Sequence, residues 1–370
     1  MSSGVRLRPS VLAAKARLAE GRAKLEQRHL SGTPGIQVSN ALTDLVDTIV
    51  LELFESALDD LGYTDSDGLR SQLALVPHGG YGRRDLAPYS DVDLMLLHAP
   101  AVTKQVLPLA ERMLRDVYDV GLVLGHSVRT PAQACQLAAQ DATICTSLIE
   151  ARFLAGSVSL YSKFANRYQH TVRRHWRKML GAIEKARRDE RSQYGETVYL
   201  LEPNIKRSRG GLRDLHWLRW VGFARYGVAE PDGLQLLGEL SASDHRALRR
   251  GSDFLLRLRH ELHFRSGKAY DVLDRAEQMR VAEAFGYQGT EALLPVEQFM
   301  REYFRHTTAI NSVVTNFVAS AQPGRRLAAL IAPLLSHQVE GDYLVGPSQI
   351  AATRRGRAKL KGNLAEMLRL

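Results

Sequence analysis

The chain has 370 residues, 45% hydrophobic and 24% charged, enough to bury a core across two or three domains without disulfides or a structural metal. No apolar run approaches the roughly 18 residues that a membrane span needs, which excludes membrane and disordered classes. Lys and Arg number 50 against 40 Asp and Glu, a formal charge of +10, which suits an anionic partner without choosing among nucleic acid, an acidic protein and a nucleotide phosphate.

Residues 10–29 alternate basic and small apolar positions as a helix does, and Ser31 to Gly35 break the pattern. A second helix is expected from the spacing of Leu42, Leu45, Val46, Ile49, Leu53 and Phe54, with Asn40 as its cap. After a polar loop at 62–71 come a short strand, Leu73 to His78, a Gly-rich turn, and a second strand, Val92 to Leu97. Helical periodicity over 104–118 tolerates Pro108, and Leu122 to Thr130 predict a third strand. Thr130 and Pro131 mark a helix start, and that helix is expected to reach about Leu154 and stop at Gly156. Cys135 and Cys145 would then lie on one amphipathic helix as buried free thiols, and with no CxxC pair or Cys/His cluster a zinc site is not expected.

From 157 onward the pattern is helical, broken at Gly195, at Pro203 to Gly211, at 227–233 and at Gly286 to Gly289. Arg173 to Arg191, with Trp176 and Tyr194 nearby, fit an exposed helix docked by its aromatics better than a nucleic-acid platform. Past Pro323 the chain is less regular: Arg354, Arg355, Arg357, Lys359 and Lys361 form a basic cluster, and the amphipathic run Leu364 to Leu370 carries no stop signal, so the chain is expected to be the front part of a longer protein. The N-terminus has no apolar core ahead of a cleavage site, which places the protein in the cytosol.

Chemistry concentrates in Val76 to Leu97, VPHGGYGRRDLAPYSDVDLMLL. A strand ends at Gly79-Gly80, ten residues intervene, and Asp91 and Asp93 sit two apart at the mouth of the next strand. Positions i and i+2 of a strand share a face, so both carboxylates project into one site, where a hard divalent cation would relieve their repulsion. Gly79 and Gly80 let backbone N–H groups approach phosphate oxygens, and Arg83 and Arg84 add positive charge nearby. A second cationic segment, Asn204 to Asp214, puts Lys206, Arg207, Arg209 and Arg213 around Gly210-Gly211, a candidate triphosphate clamp.

This arrangement resembles the nucleotidyltransferase signature of the DNA polymerase β superfamily, and more narrowly the bacterial [protein-PII] uridylyltransferase/uridylyl-removing enzymes. Four further stretches agree in order: Asp119 to Thr130, Leu148 to Gly156, Leu201 to Asp214 and, more weakly, Val296 to Arg305. The resemblance implies an α+β fold, with a small mixed sheet in a polymerase β-like nucleotidyltransferase domain at 40–156, preceded by a basic helical segment at 1–39. A helical domain at 157–320 and a basic tail at 321–370 complete the expected division. It further implies Mg²⁺, with Mn²⁺ as an alternative, held by Asp91 and Asp93. Gly79, Gly80, Arg83, Lys206 and Arg213 would bind nucleotide, and UMP would pass from UTP to a tyrosine of a PII-type signalling protein, with release of pyrophosphate.

The chain departs from the pattern in three ways. His78 stands where the family is apolar; Leu122 to Thr130 contain no third carboxylate, for which Asp141 is the nearest substitute; and no HxxxHD cluster or tandem glutamine-sensing module is visible. A one-way, glutamine-insensitive transferase is therefore expected. Three other readings stay open: a protein adenylyltransferase, a non-catalytic nucleotide-binding or scaffolding remnant, and an RNA-end polymerase favoured only by charge.

Overall fold

The computed structural model describes residues 7–63, 68–322, 337–339, 342–345, 350–353 and 355. The architecture is α+β, and its contacts divide into one compact unit, Met1–Phe317, and a second, Val318–Leu370.

Helix α1 (Pro9–Leu30) starts on a proline, tolerated there because the first helical N–H has no intrahelical partner, and buries Val11, Ala14, Leu18 and Leu25 along one face. Helix α2 (Gly35–Asp60) begins five residues before the expected cap, so Asn40 lies inside it. Its start is fixed by tertiary contacts: Ile36 N–H donates to Asp253 Oδ1 (3.0 Å), and a Cβ on Gly35 would lie 2.4 Å from the Arg257 nitrogen. The boundary drawn between 39 and 40 thus falls within a continuous helix, and α1 shares one apolar core with α2 and the sheet.

Strand β1 (Leu73–Pro77) is wholly buried and leads into a five-residue helix, α3 (Gly79–Arg83), where the sequence suggested only a turn. Strand β2 (Val92–His98) pairs antiparallel with β1, Leu75 opposite Leu96. Helix α4 (Thr103–Val120) then crosses over to β3 (Leu124–Arg129), which runs parallel to β2 with Gly125 opposite Asp93.

Helix α5 (Pro131–Gln140) has the expected Thr130 cap, completed by Gln133 into a capping box. It does not run on to Leu154. Asp141 ends it and caps a separate helix, α6 (Ala142–Ile149), by accepting from Thr143 N–H (2.6 Å) and Ile144 N–H (3.1 Å). Cys135 and Cys145 therefore sit on two helices; both are free and buried, and burial raises both thiol pKa values, Cys145 to about 11. A two-residue strand, β4 (Ala155–Gly156), pairs with β1 and completes a sheet of order β3-β2-β1-β4. Leu75, Leu94, Leu96 and Leu124 on one face of this sheet join the core with α1, α2 and α4, leaving Asp93 on the other.

From Val158 to Ala321 the elements are helical: α7 (Val158–Tyr194), α8 (Leu212–Tyr226), α9 (Pro231–Leu236), α10 (Ala242–Ser266), α11 (Arg275–Ala284) and α12 (Pro295–Ala321), with the expected breaks and two more, at 237–241 and 267–274, that the sequence pattern did not predict. The aromatic residues of α7 meet the chain's own cations. Trp176 lies under Arg177 and Arg225, and Tyr194 under Arg207. Helices α1 and α2 are each tied to α10 by a buried polar pair: His29 Nε2 bonds Glu261 Oε2 (2.7 Å), and Ser39 of α2 bonds His260 Nε2 (3.0 Å). No helix among the described residues is long and apolar enough to cross a membrane.

The second unit contains a three-stranded antiparallel sheet, β5 (His337–Val339), β6 (Tyr343–Val345) and β7 (Ile350–Ala352), where the sequence suggested an irregular tail. Within the basic cluster Arg355 pairs with Asp342 (3.2 Å); Arg354, Arg357, Lys359, Lys361 and the run 364–370 lie outside the described residues.

Candidate active site

The α3 turn is shaped around one carboxylate. His78 N–H donates to the Asp93 carbonyl (3.0 Å), carrying the β1–β2 ladder one step past Pro77, and Gly79 then turns into α3 at φ +56°. A Cβ on Gly79 would lie 2.5 Å from Asp93 Oδ2, and one on Gly125 would lie 2.5 Å from Asp93 Oδ1. Two glycines thus flank the Asp93 carboxyl, one on each neighbouring chain segment. Asp91, two residues earlier, is exposed. Burial, and then the nearby Asp91 charge, raise the Asp93 pKa, while Arg83 and Lys206 oppose the rise.

A cleft of ≈ 220 Å³ opens in front of this carboxyl, lined by Gly79, Gly80, Arg83, Asp91, Asp93, Lys206 and Arg213, whereas Arg84, Arg207 and Arg209 turn to Asp44, Tyr194 and Asn311 and do not line it. Arg83 is not a free cation. Its guanidinium grips Asp85 through Nε (2.8 Å) and Nη2 (3.2 Å) and approaches Glu150 (3.8 Å). Asp85 also accepts from His216 Nε2 (3.1 Å); although its burial acts the other way, Arg83 and His216 hold the Asp85 pKa well below the carboxylate range. This pairing joins α3 to α8 and backs onto a second cavity of ≈ 310 Å³ that neither Asp91 nor Asp93 lines.

The opposite wall is the loop from Asn204 to Gly211. Asn204 Oδ1 accepts from Lys206 N–H (3.1 Å) and Arg207 N–H (2.8 Å), an Asx turn that fixes the start of the loop. Buried Asp214 closes its end, accepting from Gly210 N–H (2.6 Å), Arg187 Nε (2.9 Å) and Arg191 (3.2 Å). Two cations of the α7 basic stretch are therefore structural. The Lys206 ammonium has no ion pair among the described residues; burial, then Arg259, lower its pKa to about 8. Arg213 spans Glu190 (3.4 Å) and the face of Trp220.

The sequence did not single out Asp85, His216, Arg259, Trp220 or Ser147, all of which line the cleft. Asp85 and His216 meet across 131 residues of chain, a separation no local pattern encodes. Asp141, the substitute third carboxylate, does not line the cleft; its carboxyl is spent on capping α6. The face of β3 beside Asp93 carries Gly125, Ser127 and Arg129, so no acid replaces it there. His78 packs against this end of the sheet, its Nδ1 2.7 Å from Ser147 Oγ, and burial followed by the Arg129 charge lowers its pKa to about 4, so it is neutral.

Residues 177–318, from within α7 to the end of the first unit, match the family model described as GlnD PII-uridylyltransferase. Curated relatives include a bifunctional uridylyltransferase/uridylyl-removing enzyme of Burkholderia vietnamiensis, 36% identical over 326 residues, which is 87% of this chain and 36% of that protein. Proteins of the same name from Burkholderia orbicola and Burkholderia thailandensis are each 34% identical over 322 residues, with the same shares covered. The chain spans only about a third of the length of these relatives, and over that stretch it is similar to the PII-uridylyltransferases.

Proposed function

We propose that the chain carries a divalent-metal-dependent nucleotidyltransferase site that moves UMP from UTP to a tyrosine hydroxyl of a PII-type protein in the cytosol and releases pyrophosphate. The carrying observation is the paired carboxylates of Asp91 and Asp93 at the mouth of β2, sharing one cleft with the cations Lys206 and Arg213. The uridylyl group and the PII-type acceptor come from what the relatives are named.

The donor set suits Mg²⁺, with Mn²⁺ as the alternative. Among the described residues no three His, Cys, Asp or Glu side chains converge, but Mg²⁺ is commonly held by one or two carboxylates together with substrate phosphates and water. A raised Asp93 pKa marks negative charge that a cation would relieve. Asp91 and Asp93 would hold the ion, which when bound polarises the α-phosphate and neutralises the leaving group. Backbone N–H groups of Gly79 and Gly80, in the first turn of α3 and lining the cleft, would approach the phosphates. Lys206 and Arg213 balance the triphosphate charge from the other wall, while Arg83 acts through Asp85, holding α3 against α8.

The test is Asp91→Asn and Asp93→Asn, each followed by pyrophosphate release from UTP in the presence of a PII-type protein. Both should abolish release with the circular dichroism spectrum unchanged; release within threefold of wild type in either would sink the assignment. The acid-free face of β3 favours one second reading, a nucleotide-binding remnant, in which wild type binds UTP and releases nothing. ATP outcompeting UTP in the same assay would mark an adenylyltransferase instead.

A further inference from the structure

His78 and Ser147 form a pair that the proposed chemistry has not used. Ser147 lines the cleft, and its Oγ lies 3.2 Å from the point a Gly79 Cβ would occupy, the same point that Asp93 Oδ2 approaches to 2.5 Å. The hydroxyl and the carboxylate oxygen therefore border one gap. His78 Nδ1 reaches the hydroxyl at 2.7 Å, and its Nε2 is buried with no hydrogen-bond partner among the described residues.

A neutral imidazole carries one hydrogen, and the surroundings choose where. On Nε2 it would be a buried donor with no acceptor, the rarest kind of orphan in folded proteins. On Nδ1 it donates to Ser147 Oγ, and the lone pair left on Nε2 is the milder loss. With its oxygen already accepting from His78, the Ser147 hydroxyl keeps its own hydrogen for an acceptor in the cleft.

We infer that Ser147 donates a hydrogen bond to a phosphate oxygen of the nucleoside triphosphate beside Asp93, and that His78 is a positioning residue that fixes the direction of this donor. The inference rests on the nucleotidyltransferase reading and adds a neutral contact from α6, an element that otherwise contributes no charge to the cleft. It also gives a role to the histidine that stands where an apolar residue was expected.

The experiment measures UTP affinity by calorimetry and pyrophosphate release on the full chain, with melting temperature alongside. Ser147→Ala should weaken UTP binding by about tenfold or more, because a hydroxyl donating to a charged phosphate oxygen is a stronger contact than one between neutral groups, and Ser147→Thr should keep it. His78→Leu should match Ser147→Ala, and the double variant should be no worse than either single one. His78→Asn, whose amide N–H can take the place of Nδ1–H, should restore affinity whatever its melting temperature. Additive losses in the double variant, or no rescue by asparagine, would overturn the relay and leave His78 a packing residue. A wild type that binds UTP and is indifferent to all of these variants overturns the inference alone; a wild type that binds no UTP overturns the parent reading with it.

Discussion

Gly79→Ala adds one methyl group at the point on which the site converges, and its effect divides into two parts. The φ of +56° is left-handed, which costs an L-residue about 1 to 2 kcal/mol relative to glycine. The new Cβ would then lie 2.5 Å from Asp93 Oδ2 and 3.2 Å from Ser147 Oγ. The carboxylate cannot simply retreat, because its other oxygen already fills the space beside Gly125. Overpacking of this kind costs a further ~1 to 3 kcal/mol, for a total of about 2 to 5 kcal/mol. Gly32→Ala is the matched control: its φ is +86° and nothing lies within 4 Å of the added Cβ, so only the backbone part applies. Urea unfolding of both variants isolates the collision as their difference. Displacing the Asp93 carboxyl by roughly 1 Å should also reduce pyrophosphate release about 100-fold in Gly79→Ala and leave Gly32→Ala active. Equal stability losses in the two variants, with transfer retained in Gly79→Ala, would refute the account of Gly79 as the space for Asp93.

Asp93→Asn should be more stable than wild type at pH 7 without divalent metal. The folded-state pKa of Asp93 is raised, so ionisation opposes folding above the ordinary carboxylate range, and the difference should vanish in melting curves taken below it. Lys206→Ala should weaken UTP binding by about 1.5 to 3 kcal/mol, and wild-type affinity should fall as pH rises through about 8, where the buried ammonium loses its proton; a flat calorimetric profile from pH 7 to 9 would contradict this. Asp214→Ala removes one of the two carboxylates that pair with Arg187, Glu190 remaining, and leaves the buried Gly210 N–H without its acceptor, so chemical denaturation should report a loss of about 1 to 3 kcal/mol.

The sheet and the site pair were readable from local pattern because both obey short periods. Strands β1 and β2 announce themselves as apolar runs, and the two-residue spacing of Asp93 on β2 and Asp91 just before it suggests a common face without reference to the rest of the fold. Lys206 and Arg213 were legible because a loop dense in glycine and cations is its own signal. What local pattern missed was set at long range. The start of α2 is capped by Asp253, and the Asp85 carboxylate that occupies the Arg83 guanidinium is held from α8 by His216. The break between α5 and α6 is a different failure: apolar periodicity continues across it, and only the Asp141 side chain, accepting from the N–H groups of Thr143 and Ile144 in the turn that follows, interrupts the helix. The short strands at 337–352 carried too few residues for a period of two to stand out.

The buried pairing of His29 with Glu261, 232 residues apart, bears on how the chain is made. At bacterial synthesis rates of about 5 to 20 residues per second, α1 leaves the ribosome roughly 10 to 50 s before its partner on α10 exists. Throughout that interval α1 can rest on α2 and α4, whose apolar faces are already made, but the imidazole that will be buried has only water as a partner. The first helix to emerge is thus among the last to be locked, and the nascent first unit stays open along the α1 seam until translation has passed well beyond every residue of the cleft except Arg259.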